Sequence, residues 1–205
     1  MISRSGRISV LLLAAAFMPA TLLAQPTPEP PRLTVLATIG AMRPSDTAVR
    51  DLYSGTFMPI TIEADVRAFW RVFVFVSGQF LRKDGEAVFD LPPAPEERFP
   101  LRLATSSARI GGGVVFPLQR WIVSAQAGMS YTGYDEKWVG EDVPAATGHA
   151  YGFIAEGGVD WRVAGPLWAV GRFEYTYTPT GNAQQAVPAF DLSGVSLSAG
   201  VAVRF

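Results

Sequence analysis

The chain has 205 residues, of which 49% are hydrophobic and 17% are charged, and its formal net charge is -1. This length suits a single domain. A near-neutral chain has no basic footprint for nucleic acid, so we expect no nucleic-acid partner. The lack of cysteine excludes disulfides and thiolate metal sites. No internal run reaches the roughly 18 consecutive apolar residues that a membrane-spanning helix needs.

The N-terminus has the features of an export signal. Arg4 and Arg7 precede an apolar stretch that runs from Val10 to Leu23, and the small residue Ala24 suits cleavage. A membrane anchor is the alternative, but the apolar stretch is short and prolines follow it. We predict a cleaved signal peptide over residues 1–24, a Pro-rich periplasmic leader over 25–32 and one domain over 33–205.

From Leu33 onward the hydrophobic pattern repeats every second residue, which is typical of strands with two unlike faces. Between Ile60 and Ala68, for example, aliphatic residues alternate with Thr, Glu, Asp and Arg. Eight segments share this pattern: Leu33–Met42, Ile60–Ala68, Val72–Arg82, Leu101–Phe116, Trp121–Thr132, Ala150–Val163, Leu167–Thr178 and Val195–Phe205.

Tight and long connections alternate between the eight segments. The tight ones are Phe69–Arg71, Pro117–Arg120 and Ala164–Pro166, and the long polar ones are Arg43–Thr56, Lys83–Pro100, Gly133–Gly148 and Pro179–Phe190. Short turns at one end and long loops at the other are typical of outer-membrane barrels, where the short turns are periplasmic. We predict an all-β fold, an eight-stranded antiparallel up-and-down transmembrane β-barrel.

Aromatic residues favour a membrane barrel over two alternatives, a soluble lipid-binding barrel and a sandwich, which would show the same alternation. One group lies beside the tight turns or the C-terminus, and a second lies near the long loops. The first is Phe69, Trp70, Phe116, Trp121, Trp161, Trp168 and Phe205, and the second is Tyr131, Tyr134, Tyr151, Phe153, Tyr175 and Tyr177. Two such groups bounding an apolar band match interfacial aromatic girdles.

The polar face carries five acids and five arginines. They are Glu63, Asp65, Arg67, Arg109, Glu156, Asp160, Arg162, Arg172, Glu174 and Arg204. An eight-stranded barrel is only just wide enough for its own side chains, and the planar guanidinium suits confined carboxylates. We predict a cross-lumen charge network that fills the barrel. The alternative is a charge gate in a narrow pore for small solutes.

The last strand closes with alternating Val201 and Val203 and a terminal Phe205. In this it resembles the small outer-membrane barrels of the OmpA, OmpX and OmpW kind. The resemblance implies that these three residues form an insertion signal for the barrel-insertion machinery. It also implies a monomer in the cell outer membrane, surrounded by its lipids and lipopolysaccharide. Inward-facing Phe73 and Phe75 are a hint of the hydrophobic conduit of the OmpW kind.

The sequence predicts no enzyme, no cofactor and no metal site. A lipid-modifying barrel would need a base beside a nucleophile, but the single histidine, His149, has no serine within two residues. Ser130 on the preceding strand has the opposite parity and faces the lumen. The acidic outer loops lack the spacing of a calcium loop. We therefore predict a non-enzymatic barrel with a role in envelope structure or in surface contact through its loops, with a lipid-modifying enzyme as the alternative.

Overall fold

The computed structural model describes residues 30–89, 97–139, 144–179 and 191–205. Within them lie the strands β1 Leu33–Pro44, β2 Ile60–Phe69, β3 Val72–Phe89, β4 Glu97–Leu118, β5 Trp121–Trp138, β6 Pro144–Ala164, β7 Leu167–Tyr177 and β8 Gly194–Arg204, and the helix α1 Thr47–Leu52. The strands form a closed barrel in chain order, each antiparallel to its neighbours. The predicted fold class is confirmed. The predicted signal peptide and residues 25–29 of the leader lie outside the described residues.

The two faces of the barrel wall are inverted relative to a water-soluble barrel. Along β1, exposed and buried side chains alternate from end to end. The outward positions carry aliphatic side chains, such as Ile110 at 63% and Val201 at 55% exposure, whereas Arg109 is 4% and Asp160 0% exposed. A barrel in water would bury its apolar side chains and expose its charges. The wall is therefore built to face lipid.

The apolar band has the height of a membrane. In β5, Trp121 at the turn end and Tyr131 at the loop end both point outward. The about ten residues between them, at about 3.4 Å each and tilted by about 40°, rise roughly 26 Å, close to the roughly 25 Å band of transmembrane barrels. Neighbouring rings pack at both edges of the band. Trp121 and Trp161 have ring centroids 6.2 Å apart, and Tyr131 and Tyr151 have centroids 5.1 Å apart.

Two hairpins continue beyond the membrane band. The pairing of β3 with β4 extends to Phe89 and Glu97, and that of β5 with β6 extends to Lys137 and Pro144. The long loops predicted over 83–100 and 133–148 are therefore mostly strand. Above the membrane both faces of a hairpin meet water, so the apolar alternation fades while the backbone pairing continues.

The first long connection is folded over the loop-side mouth of the barrel. Asp46 caps α1 by accepting a hydrogen bond from the Ala48 N–H at 2.8 Å, and it accepts a second from Asp191 at 2.9 Å. The hydrogen bond from Asp191 is the largest factor that lowers the pKa of this carboxyl.

Among the described residues, no helix is long and apolar enough to cross a membrane. The short helix α1 instead covers an apolar cluster. The cluster beneath α1 is Met42, Val49, Tyr53, Phe57, Leu81, Ala87, Leu101, Leu103 and Leu192.

Arginine at a lipid-facing position should hinder insertion. Val74 and Val201 point outward and are 51% and 55% exposed, and an arginine deep in the bilayer costs about 2–4 kcal/mol. We expect Val74→Arg and Val201→Arg to lower the yield of folded protein in lipid vesicles, measured by mobility on unheated gels. Thr147→Arg, outward but above the band, is the control and should refold normally. Native yields from both valine variants would refute the assignment of the faces.

Candidate functional site in the barrel lumen

The inward positions of five strands, β2, β4, β6, β7 and β8, bring charged side chains together at membrane depth. Strand alternation alone places them there, because every second residue of a strand faces the lumen. Six of the ten predicted network residues are less than a tenth exposed: Glu63, Arg109, Asp160, Arg172, Glu174 and Arg204. Buried charges at this depth need partners, since no water or lipid group replaces their hydration.

Asp160 is the centre of the cluster nearer the turn end. Its carboxylate accepts hydrogen bonds from both Arg172 and Arg204, and the Arg172 Nη2 to Asp160 Oδ2 distance is 3.2 Å. Arg172 also reaches Glu156, with Nε 3.1 Å from Oε1. Glycine at position 158 makes room for this guanidinium, because a Cβ there would lie 2.6 Å from Arg172 Nη1. Three strands, β6, β7 and β8, are thus tied together across the lumen.

A second cluster lies nearer the loop end. Arg109 holds Glu174 through two hydrogen bonds, Nη1 to Oε2 at 2.6 Å and Nη2 to Oε1 at 3.2 Å. This is the bidentate pairing that favours arginine over lysine at such sites. Arg109 Nη2 also donates to Gln79 Oε1 at 2.6 Å, and Thr176 donates to Glu174 at 2.8 Å. The contact from Arg109 to Glu174 joins β4 to β7.

Two glutamines complete the network and were missed by the sequence analysis. Gln126 Nε2 donates to Glu63 and to Glu156, at 3.1 Å each. Gln79 accepts from Arg109 and donates to Thr61 at 3.2 Å. Both glutamines occupy inward positions, so strand parity could have found them. The predicted network contained charged residues only, so it omitted these two glutamines.

Two predicted network members lie at the turn end of the barrel. Arg162 is exposed, and its Nε donates to the Gly165 carbonyl at 3.0 Å. The β6–β7 register shifts between Arg162 and Ala164, so this side chain follows the turn instead of the lumen. Arg67 Nη1 donates to the Pro30 carbonyl at 2.6 Å, which holds the leader at the barrel end. Arg67 also lines a lumenal cavity together with Asp65 and Arg204.

Aromatic side chains fill the space that the charges leave. Phe75 is 1% exposed and packs with Phe73 and Ile154. Gly111 and Gly128 admit its ring, since a Cβ on either would lie 2.7 or 2.8 Å from it. The inward phenylalanines that hinted at a hydrophobic conduit therefore pack against the wall. Trp168, another inward ring, lies 4.8 Å from the Arg204 guanidinium.

Two lumenal cavities lined by described residues are small. One cavity, lined by Asp65, Arg67 and Arg204, holds about 20 Å³, and another, lined by Gln79 and Phe57 below the mouth, also holds about 20 Å³. Each has room for about one water molecule. Above them the Tyr53 hydroxyl donates to Glu136. Burial, with this hydrogen bond, raises the pKa of Tyr53 above its ordinary value.

The histidine and serine considered for catalysis lie on opposite sides of the wall. His149 is exposed on the outer face, where its ring lies 5.6 Å from the Tyr131 ring. Ser130 faces the lumen and is 3% exposed. Among the described residues, no group of three His, Asp or Glu side chains is placed to hold a metal ion.

No protein-family model matches the chain, and no curated protein matches it in sequence. Solved structures do match. Neisserial surface protein A has a TM-score of 0.59 at 18% identity, over 84% of this chain and 97% of that one. OprG from Pseudomonas aeruginosa has a TM-score of 0.62 at 9% identity, over 86% and 97%. Ail from Yersinia pestis has a TM-score of 0.52 at 9% identity, over 84% and 96%.

These likenesses show the fold. The chain is a closed, antiparallel, eight-stranded β-barrel, and it shares this fold with these solved structures. The structures that it resembles include OprG, which is described as an outer membrane protein. The similarity spans nearly the whole of each matched chain, so it covers the complete barrel.

The Glu156–Arg172 contact should be energetically coupled. Their side chains are 9% and 5% exposed, and contacting charges inside one network couple by about 0.5–3 kcal/mol. We expect a double-mutant cycle of Glu156→Gln and Arg172→Met, measured by urea unfolding in vesicles, to give a coupling energy of more than about 0.5 kcal/mol. The matched cycle of Glu156→Gln with the exposed Arg162→Met should show no coupling. Equal coupling energies in both cycles would refute the proposed network.

Proposed function

We propose that this protein is a non-enzymatic component of the outer membrane whose lumen is structural. The observation that carries the proposal is the buried Arg–carboxylate network, which occupies the barrel at membrane depth. Opening a path would separate several buried pairs, and leaving one buried charge unpaired costs about 3–5 kcal/mol. The apolar cluster beneath α1 closes the mouth above the network. Permeation through such a barrel is unfavourable.

Surface contact is the role that remains for the parts outside the membrane. The β3–β4 and β5–β6 hairpins extend beyond the band, and they carry exposed ion pairs such as Arg102 with Asp84 at 2.7 Å. Binding residues concentrate in such segments when a rigid scaffold holds them. We propose that these hairpins and the lipid-facing wall contact lipopolysaccharide and other envelope components. A closed barrel has no free strand edge, which supports a monomer.

A narrow gated pore is the second candidate, and one observation favours it. Asp65 lines a small lumenal cavity, and its Oδ1 has no hydrogen-bond partner among the described residues. With Arg67, Arg172 and Arg204 in the same lining, this carboxylate would form the charged wall of a pore for small solutes. The two candidates differ in one measurable property, which is conductance.

Conductance in planar bilayers separates the two candidates. We expect purified, refolded native protein to show no channel steps, because the network and the mouth cluster occupy the lumen. Arg109→Ala, which removes the partner of Glu174, and the exposed control Arg162→Ala are recorded alongside. Reproducible steps in the native protein that change only in Arg109→Ala would replace the structural role with a gated pore.

The C-terminal residues are proposed to act as the insertion signal. Phe205 is 68% exposed, and its backbone N–H donates to the Leu33 carbonyl at 2.9 Å. Val201 and Val203 precede it on the strand that closes the barrel. This position would offer the barrel-insertion machinery an aromatic side chain at the end of the strand that must pair last.

Loss of the terminal ring should impair assembly in cells more than refolding in a test tube. We expect Phe205→Ala to lower the amount of barrel assembled in the outer membrane, yet to refold into detergent micelles like the native chain. Trp161→Ala removes another exposed aromatic ring, 46% exposed, and serves as the control. An equal deficit from Trp161→Ala in cells, or an equal refolding defect from Phe205→Ala, would contradict a role as a signal.

A further inference from the structure

An open groove of about 470 Å³ runs along the outer surface where β7, β8 and β1 meet the connection that carries α1. Its lower part is apolar and its upper part is cationic. The residues that shape it are Ala41, Arg43, Arg50, Phe173, Val195 and Leu197. Phe173 and Leu197 are 58% and 66% exposed. Their exposure at lipid-facing positions makes the groove continuous with the membrane-facing wall.

The groove crosses the outer boundary of the apolar band. The outward residues of β1 are apolar from Leu33 to Ala41, and Arg43 is the first charged one. Arg43 lies about ten residues above Leu33, which corresponds to a rise of roughly 26 Å in a tilted strand. Its register partner Val195 also pairs with Tyr175, a residue of the loop-side aromatic group. The guanidinium therefore lies at the level of the lipid head groups.

The two arginines of the groove keep their charge available. Arg50 donates from Nη1 to the Pro44 and Ser45 carbonyls, at 3.0 and 3.2 Å, and from Nη2 to Thr47 Oγ1 at 3.0 Å. These acceptors are uncharged, and Asp46, which attracts Arg50 electrostatically, does not line the groove. The Arg43 side chain forms no hydrogen bond or ion pair with any residue that the structure describes. The nearby Asp46 carboxylate already accepts two backbone N–H groups. No carboxylate lines the groove among the described residues.

We infer that this groove binds lipopolysaccharide through a lipid A phosphate. A phosphate between Arg43 and Arg50 would accept charge-assisted hydrogen bonds from two guanidinium groups, which suit phosphate geometry. An acyl chain of the same molecule lies along Phe173 and Leu197, where it covers exposed apolar surface. The inference deepens the proposed function, because it names a lipid and a site for the contact between the wall and the envelope.

A second outward groove provides an internal comparison. It is larger, about 930 Å³, and lies on the other side of the barrel, where Arg82, Asp135 and His149 line it. A carboxylate in its lining opposes the binding of phosphate by like charge. Arg82 is exposed at a similar outward position and so provides a control for loss of any rim arginine.

The test is a titration of refolded protein in zwitterionic micelles with bisphosphorylated lipid A, followed by native mass spectrometry. We expect Arg43→Gln to weaken the affinity by about tenfold, as for the loss of one charge-assisted contact. Arg50→Gln should act in the same direction, and Arg82→Gln should stay within about twofold of native. Arg43→Gln breaks no hydrogen bond within the described residues, so gel mobility should show a normally folded barrel.

The ligand is varied as well as the protein. Dephosphorylated lipid A should bind about tenfold more weakly than the phosphorylated form, and inorganic phosphate alone should not compete. Equal affinity for the dephosphorylated lipid, displacement by inorganic phosphate, or equal losses in Arg43→Gln and Arg82→Gln would overturn the inference. Conductance is measured separately. If lipid A does not bind and the bilayer recordings show no channel steps, this binding site is rejected, but the proposed structural role of the lumen is not.

Discussion

The closure of β8 onto β1 is the constraint on which the rest of the structure depends. In hydrocarbon, each unpaired backbone N–H or C=O group costs several kcal/mol, so a spanning sheet must have no free edge. Pairs such as Ala37 with Val201 satisfy the last edge. Once the sheet is closed with eight strands, its radius is fixed, and the interior is only wide enough for side chains. The inverted faces and the filled lumen both follow from this closure.

Confinement explains the chemistry of the lumen. Charges inside a narrow barrel cannot be hydrated by bulk water, so each carboxylate is stable only beside a donor. Arg172 satisfies Asp160 and Glu156 together, and Arg109 satisfies Glu174 with both arms of its guanidinium. Glycine in the neighbouring strand provides the volume that these long side chains need. The polar network is thus also the packing core of a protein whose apolar residues face outward.

The sequence predicts the strand segments within the membrane band, but it does not predict how far the strands extend into water. Every strand within the membrane band follows from alternation, because lipid and lumen impose opposite polarity on its two faces. The extension of β3–β6 leaves no such signal. Partners within the lumen were also beyond reach, since strand tilt decides which residues share a level, as it does for Asp160 and Arg204 of strands two apart. The apolar cluster beneath α1, which includes Tyr53, depends on tertiary contacts that the hydrophobic periodicity does not encode.

The joined ends of the barrel have a consequence for how the protein is made. β1 emerges from the ribosome first, yet one of its two partners is the last strand of the chain. Native pairing at this seam therefore cannot form until β8 has been synthesised, and contacts between such distant segments form slowly. Before this pairing the amphipathic strands are exposed to water with unpaired edges, the condition that promotes aggregation. Until β1 and β8 meet, this seam is therefore the part of the barrel most open to pairing with another chain.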